Sequence, residues 1–447
     1  MKTLILDGSH PNDPQASRII KSLQIHLPNA DITSLREQKI GNCAGDFFCW
    51  VRNPGMCNTD DDNRVIAAKI VQSDLVIYLT PVTFGGYSSE LKRMVDHQIQ
   101  NISPFFASIN GEIHHQKRYN HYPNVLTIGW MDEPNARVES IFRHLVHRNA
   151  INMYAKTSVC GLVTGDQPEA DLTAQTGLWL QAITSGSNSP VPALPSIDVA
   201  SPEVTPVHRA VLLVGSPRTR KSTSASLGGY LFEQLGTRGV ETTTIQIYTS
   251  LNSQERMKTM HEAINNADLV VLAFPLYVDS LPAPVIAALE KIANLCKDNE
   301  SSIRFAAISN CGFPEAKHNA TALAICEEFG HEAGFAWMGS LALGGGEGLV
   351  HGIPLNEMDG RAIPLKKSLE LAAESLANGQ PIPQSAQELL AKPVISNWMY
   401  KLFGGFGWKQ QAKYYGMQNA LKKQPYMLNQ ERNHGQDIQR TFYSKNR

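Results

Sequence analysis

At 447 residues the chain is too long for one ordinary compact domain, so two or three cores are expected. Hydrophobic residues at 42% exclude a disordered chain, and 40 Lys and Arg against 41 Asp and Glu exclude a global field drawing it to nucleic acid or anionic lipid. The apolar run in MKTLILDGSH is too short for a signal-peptide core, no stretch approaches the roughly 20 apolar residues of a membrane span, and seven dispersed cysteines give no disulfide framework, so a cytoplasmic protein with reduced thiols is expected.

The chain opens on an apolar strand, Thr3 to Asp7, leading into Gly8-Ser9, and Ser17 opens a helical segment from Arg18 to His26. Asp74 to Leu79 is a buried-type strand ending at Thr80-Pro81. A helix over Ser88 to Gln100, a strand over Asn124 to Trp130, a helix over Val138 to Arg148 and a strand over Thr157 to Val163 follow. Thr184 to Val207, rich in Ser and Pro and without periodicity, reads as a linker. The order then repeats. Strand Ala210 to Val214 leads into Gly215-Ser216, with Ser224 as far from Gly215 as Ser17 is from Gly8. Strand Asp268 to Ala273 ends before Phe274-Pro275, and helix Pro284 to Leu295, strand Arg304 to Ser309, helix Asn319 to Ala333 and strand Met338 to Leu343 complete the unit. Continuous apolar runs are what parallel strands covered on both faces require. The alternation predicts an α/β protein with two doubly wound, parallel, five-stranded sheets in tandem. The expected units are residues 1–183 and 208–385, a linker at 184–207, and a basic, aromatic, loosely helical extension at 386–447 that ends in a polar tail.

In such sheets ligands sit beyond the carboxyl ends of the strands, where strand order reverses. The first-strand loops, DGSHPNDPQAS and VGSPRTRKSTS, read as mononucleotide phosphate nests. Gly8, Ser9, His10 and Ser17 form one; Ser216, Arg218, Ser222 and Ser224 form the other, each facing the positive end of the next helix. A Ser-rich helix cap explains either loop taken singly; the duplication favours the phosphate, and Arg218, Arg220 and Lys221 make the second copy the better seat. In the third-strand loop TPVTFGGYSSELKRMVD, Pro81 fixes the turn, Val82, Thr83 and Phe84 line it, and Gly85 and Gly86 let the backbone approach a flat ring. Its counterpart FPLYVDSLPAP keeps Pro275, Leu276 and Tyr277 without the glycines, so its ring contact is less assured. Gly344 to Gly346 read as a backbone turn.

These loops, together with CAGDFFCWVRNPGMCNTDDD, resemble the NAD(P)H-dependent FMN reductases and iron–sulfur flavoproteins of the flavodoxin-like superfamily, over most of residues 1–180 and 208–350. The resemblance implies two flavodoxin-like domains and FMN, with phosphate near Ser9, Ser17, Ser216 and Ser224 and ring against Pro81 to Tyr87. It also implies NAD(P)H as co-substrate and a ping-pong reaction passing electrons to a quinone, nitro or azo compound, or free flavin. The cofactor carries such chemistry, so no catalytic side chain is expected. Relatives usually dimerise with the flavin near the subunit boundary, which implies an intramolecular pseudo-dimer, or else a homodimer.

Iron–sulfur relatives carry four closely spaced cysteines where this chain has Cys43, Cys49 and Cys57, with Asp46 in the remaining place. A cluster is therefore not expected, and the thiols read as small buried side chains beside the site. Asp60, Asp61 and Asp62 read as helix caps, and His114, His115 and His121 as part of a solvated loop, so no metal site is expected. Cys160 and Cys326 read as core; a redox role for Cys311 is open. Two rival readings stand: a flavodoxin-type electron carrier, and a binding or scaffold protein with one degenerate flavin site. The aromatic extension reads as packing on a neighbouring domain in preference to lying on a membrane.

Overall fold

The computed structural model describes residues 1–165, 167–196, 205–296 and 303–427; part of the expected linker (197–204) and the polar tail beyond 427 lie outside it. The first half runs β1 (Thr3–Asp7), α1 (Pro14–His26), β2 (Asp31–Ser34), α2 (Phe48–Val51), α3 (Asn63–Val71), β3 (Leu75–Thr83), β4 (Gly86–Tyr87), α4 (Ser89–His97), β5 (Ile102–Ile109), β6 (Glu112–Lys117), β7 (Asn124–Met131), α5 (Ala136–Asn152), β8 (Ser158–Thr164) and α6 (Glu169–Ser185). The second runs β9 (Arg209–Val214), α7 (Thr223–Gly236), β10 (Glu241–Gln246), α8 (Ile247–Ser250), α9 (Gln254–Asn265), β11 (Leu269–Pro275), α10 (Ala283–Cys296), β12 (Arg304–Asn310), α11 (Ala320–Glu332), β13 (Ala336–Leu343), α12 (Gly346–Leu349), α13 (Ile363–Ala377) and α14 (Gln384–Ala391). A last helix, α15 (Asn397–Tyr414), follows.

The strand orders are β2-β1-β3-β7-β8 and β10-β9-β11-β12-β13, with every neighbour in these paths parallel. Both are the flavodoxin-like doubly wound order, so the two expected sheets are present. The central strands are buried along their whole apolar runs, as at Leu75 to Leu79 and Leu269 to Phe274. A Cβ on Gly8 would run into Leu91, and one on Gly215 into Val285, at equivalent places on α4 and α10. The strand exits are thus glycine in both halves because a helix lies directly over them.

The halves pack on each other through α4 and α10 and through α5 and α11. One apolar core passes through this contact, including Leu91, Val95 and Ile141 on one side and Val285, Leu289, Ile325 and Phe329 on the other. Two carboxylates at equivalent positions cross it reciprocally. Glu290 of α10 accepts the Ser89 amide (3.1 Å) and hydroxyl (2.8 Å) at the start of α4, and Asp96 of α4 accepts the Ala283 amide (2.9 Å) at the start of α10. Each half therefore caps the other's helix with an anion at its positive end. Fully buried Lys92 pairs with Asp96 and donates to the Tyr277 carbonyl at 2.7 Å.

Several local expectations are corrected. Helix α1 begins at Pro14 under an Asp13 cap, so Ser17 lies inside the helix, exposed, instead of opening it. Apolar Ile102, Phe106 and Ile113 turn the expected solvated loop into a hairpin, β5–β6, with His114 buried against Asn152 (2.8 Å). Asp61 does accept the Asn63 amide at the start of α3 (2.9 Å), but Asp61 and Asp62 also accept the amides of Gly41 and Lys39, tying down the loop before the cysteines. Helix α14 packs on α13 and β13, carrying the second unit's packing through Ala391. Helix α15 returns to the first half: Trp408 meets the rings of Phe47 and Trp50 at 5.2 and 5.1 Å, while Trp398, Leu402, Phe403 and Phe406 stay exposed. Among the described residues no helix is long and apolar enough to cross a membrane.

Removing one member of the buried pair strands the other's charge. Lys92→Met is expected to cost about 3–5 kcal/mol in urea-induced unfolding, whereas Lys92→Met with Asp96→Leu recovers a substantial part of that loss, because no lone charge remains.

Candidate functional site

The third-strand loops have one backbone in both halves. In the first, Thr83 pairs with Gly86 across Phe84 and Gly85, at φ 53° and 76°. In the second, Tyr277 bridges Ser280 across Val278 and Asp279, at φ 45° and 59°. Two successive positive φ angles make the tight hairpin turn that normally asks for Asn-Gly. The second half keeps that turn without glycine because the first half holds it. The Asp279 carboxylate accepts from Asn149 (3.2 Å) and Asn152 (2.5 Å), and the Val278 carbonyl accepts from Asn149 at 3.1 Å. In return Phe84 lies edge-on to Phe329, and a Cβ on Gly86 would come within 3.0 Å of the Ile325 side chain. Missing glycines therefore do not impair the second loop.

The first-strand loops begin alike and then diverge. Asn12 and Thr219, at equivalent places, both have positive φ (60° and 50°). Beyond them, Asp13 in the first half accepts the amides of Gln15 (2.9 Å) and Ala16 (3.3 Å) and the Trp130 indole N–H (3.1 Å), and Pro14 has no amide to offer. A carboxylate already takes the donors and the positive helix end that an anion would use. Ser9 is also committed, since its amide donates to Asp7 (3.0 Å) and its hydroxyl accepts from Arg36 (2.8 Å). His10 is exposed.

In the second half the cap is the neutral Ser222 hydroxyl, which accepts only from Ala225 (3.1 Å). The amides of Thr223 and Ser224 lie in the first turn, outside the helical ladder. Ser216 is buried, its hydroxyl accepting from the Arg218 amide at 3.4 Å, and Arg220 and Lys221 are exposed. Ser224 turns to the sheet, its hydroxyl accepting from Asn310 at 2.9 Å. Arg218 is held by Glu347 (2.5 Å) and by the Gly45 carbonyl (2.6 Å), with its guanidinium over the Phe47 ring. Gly45 is glycine because a Cβ there would collide with the Tyr277 hydroxyl. The first half's cysteine loop thus rests on the second half's Arg218 and Tyr277, while Pro275, Leu276 and Tyr277 are partly buried.

The family model for NADPH-dependent FMN reductases matches the chain twice, over residues 1–111 and 208–316. Both halves belong to that family. Solved structures resembling the chain include an NAD(P)H:quinone oxidoreductase from Methanothermobacter marburgensis, 18% identical, covering 38% of this chain and 98% of that one with a TM-score of 0.29. An FMN-dependent NADH-azoreductase from Bacillus anthracis, in complex with FMN, is 13% identical, covering 38% and 99% with a TM-score of 0.29. A flavodoxin from Streptococcus pneumoniae is 13% identical, covering 38% and 99% with a TM-score of 0.28. No curated protein matches the chain.

Membership assigns the general activity, flavin-dependent oxidation of NAD(P)H, with FMN as cofactor and NAD(P)H as co-substrate. The donors of the second first-strand loop fit a phosphate: free helix amides, hydroxyls and two cations, with no carboxylate at the cap. Those of the first loop do not, because Asp13 occupies them. Sequence reasoning missed Asp13, although Asp-Pro before an apolar-periodic run is a helix-start signal. Glu347, Gly45 and Asp279 carried no local signal, since their partners lie far along the chain. Cys311 is buried, with its thiol pushed up to about 12 by burial.

The contrast at the two caps is testable. Asp caps a helix as well as Ser does, so Ser222→Asp is expected to fold normally. Its charge about 4 Å from a phosphate is expected to weaken FMN binding by about 100-fold or more, followed by flavin fluorescence quenching, whereas Asp13→Asn leaves affinity unchanged.

Proposed function

We propose that the second half alone seats FMN and that the first half serves as its brace. Ser216, Ser222 and the amides of Thr223 and Ser224 would hold the phosphate, with Arg220 and Lys221 beside it, and Pro275 to Tyr277 would face the ring. The observation that carries this reading is the pair of helix starts: one closed by Asp13, the other uncharged at Ser222 and flanked by cations. FMN, when bound, supplies the acceptance of hydride from NAD(P)H and the release of electrons. The chain's own residues position it, and Tyr277, partly buried beneath Gly45, brings an aromatic ring to the third-strand loop. Gly45 and Phe47 cover Tyr277 and Arg218, so the acceptor is a small planar molecule, of the quinone, nitro, azo or free-flavin kind, that takes the place NAD(P)H has left.

Steady-state NAD(P)H oxidation with a series of quinone concentrations is expected to give parallel double-reciprocal lines. Tyr277→Ala is expected to lower kcat/KM for the quinone roughly tenfold, the loss of one aromatic contact. Absence of turnover with intact bound flavin would favour an electron carrier.

A further inference from the structure

Three of the seven cysteines meet at one cavity. Cys43 comes from the loop before α2, Cys49 from α2 and Cys57 from the loop after it, and the cavity is also lined by Asp46, His97 and Gln100. The Cys57 sulfur lies 3.5 Å from His97 Nδ1. On the other side of the ring, His97 Nε2 donates to the Gly41 carbonyl at 2.9 Å, which leaves Nδ1 to share a proton with the thiol. Cys57 is fixed in place: its amide donates to Gln100 Oε1 (2.8 Å) and its carbonyl accepts from Arg64 Nε (2.9 Å).

The three sulfurs differ electrostatically. Burial pushes the Cys43 thiol up to about 12 and Cys49 well above its ordinary value. Burial acts upward on Cys57 too, but the hydrogen bond and charge of His97 outweigh it and hold the thiol below its ordinary value. His97 is raised in turn, despite burial, by Cys57, the Gly41 carbonyl and Asp96. Asp96 is itself paired with Lys92, and the Tyr426 hydroxyl donates to Gln100 beside the cysteine. Among the described residues, no group of three or more His, Cys, Asp or Glu is arranged to hold a metal ion. One thiol activated by an imidazole beside two held protonated by burial is an arrangement in which oxidation starts at a single sulfur.

We infer that this cavity is a redox-active thiol site in which Cys57 is the attacking sulfur, Cys43 or Cys49 the resolving one, and a hydroperoxide the oxidant. The Cys57 thiolate attacks the terminal oxygen of the hydroperoxide, the O–O bond breaks, and the alcohol or water leaves with the proton that His97 holds. Cys57 becomes a sulfenic acid. The second thiol then attacks that sulfur, an S–S bond forms and water departs, so two thiols give up two electrons to one hydroperoxide. The resulting bridge would span or adjoin Gly45 and Phe47, the residues resting on Tyr277 and Arg218. His97 acts through Cys57 as a positioning residue.

The test uses the full chain and one equivalent of hydrogen peroxide, followed by peptide mapping under non-reducing conditions. Expected is a Cys57 bridge to Cys43 or Cys49, with Cys160, Cys296, Cys311 and Cys326 still free; Cys57→Ser abolishes it, and Cys43→Ser with Cys49→Ser leaves a Cys57 sulfenic acid that dimedone traps. Iodoacetamide labelling of Cys57 against pH supplies a second readout. His97→Ala is expected to move its midpoint upward and slow labelling at pH 7 about tenfold, as one pKa unit gives. Oxidation of Cys57 no faster than of the four other thiols, or no bridge and no trapped sulfenic acid, overturns the proposal. A labelling profile unchanged by His97→Ala removes the imidazole from it.

Discussion

Two carboxylates crossing between the halves are the constraint on which the arrangement rests. Glu290 closes the start of α4 and Asp96 the start of α10, so neither helix has its first turn satisfied without the other half. Those helices lie directly over the glycine exits of β1 and β9, and they begin just after the third-strand turns. Fixing α4 against α10 thereby fixes both mouths. The bracing extends to the strained Val278-Asp279 turn, which Asn149 and Asn152 hold from the opposite side. Charge, helix polarity and backbone strain are settled in one interface, within a single chain.

Within that near-symmetric frame the two mouths have diverged by very few residues. A helix start presents a limited set of amides, and one anion satisfies it. In the first half the protein provides that anion itself, as Asp13, and adds a proline and the Trp130 indole around it. In the second, Ser222 caps without charge. Meanwhile the first half supplies the cysteine loop that crosses onto Arg218 and Tyr277. Under the proposed function one copy binds and the other supports, and the cysteine loop's contacts with Arg218 and Tyr277 join the two.

Much of the fold was legible in the sequence because its signals are local. Continuous apolar strands, Gly-Ser exits and X-Pro ends recur in order, and they specify two parallel sheets without knowledge of any contact. Elements failed where a short polar run hid an apolar alternation, as in β5–β6, or where the real helix start was Asp13-Pro14 and attention fell on Ser17. The site was half legible. Pro275 to Tyr277 and the Ser222 loop lie at or beyond the carboxyl ends of their strands, as the order of elements implies, whereas the missing glycines were no guide to the turn, since Asp279 is held at positive φ by residues more than a hundred positions earlier. Arg218 was read as a phosphate partner and is found with Glu347, a contact that only the folded chain creates.

The most direct test of this account is the stoichiometry of FMN binding to the intact chain by titration calorimetry. One FMN per chain, with a single transition, is predicted; two equivalent sites, or none, would contradict the assignment of the second half as the only seat.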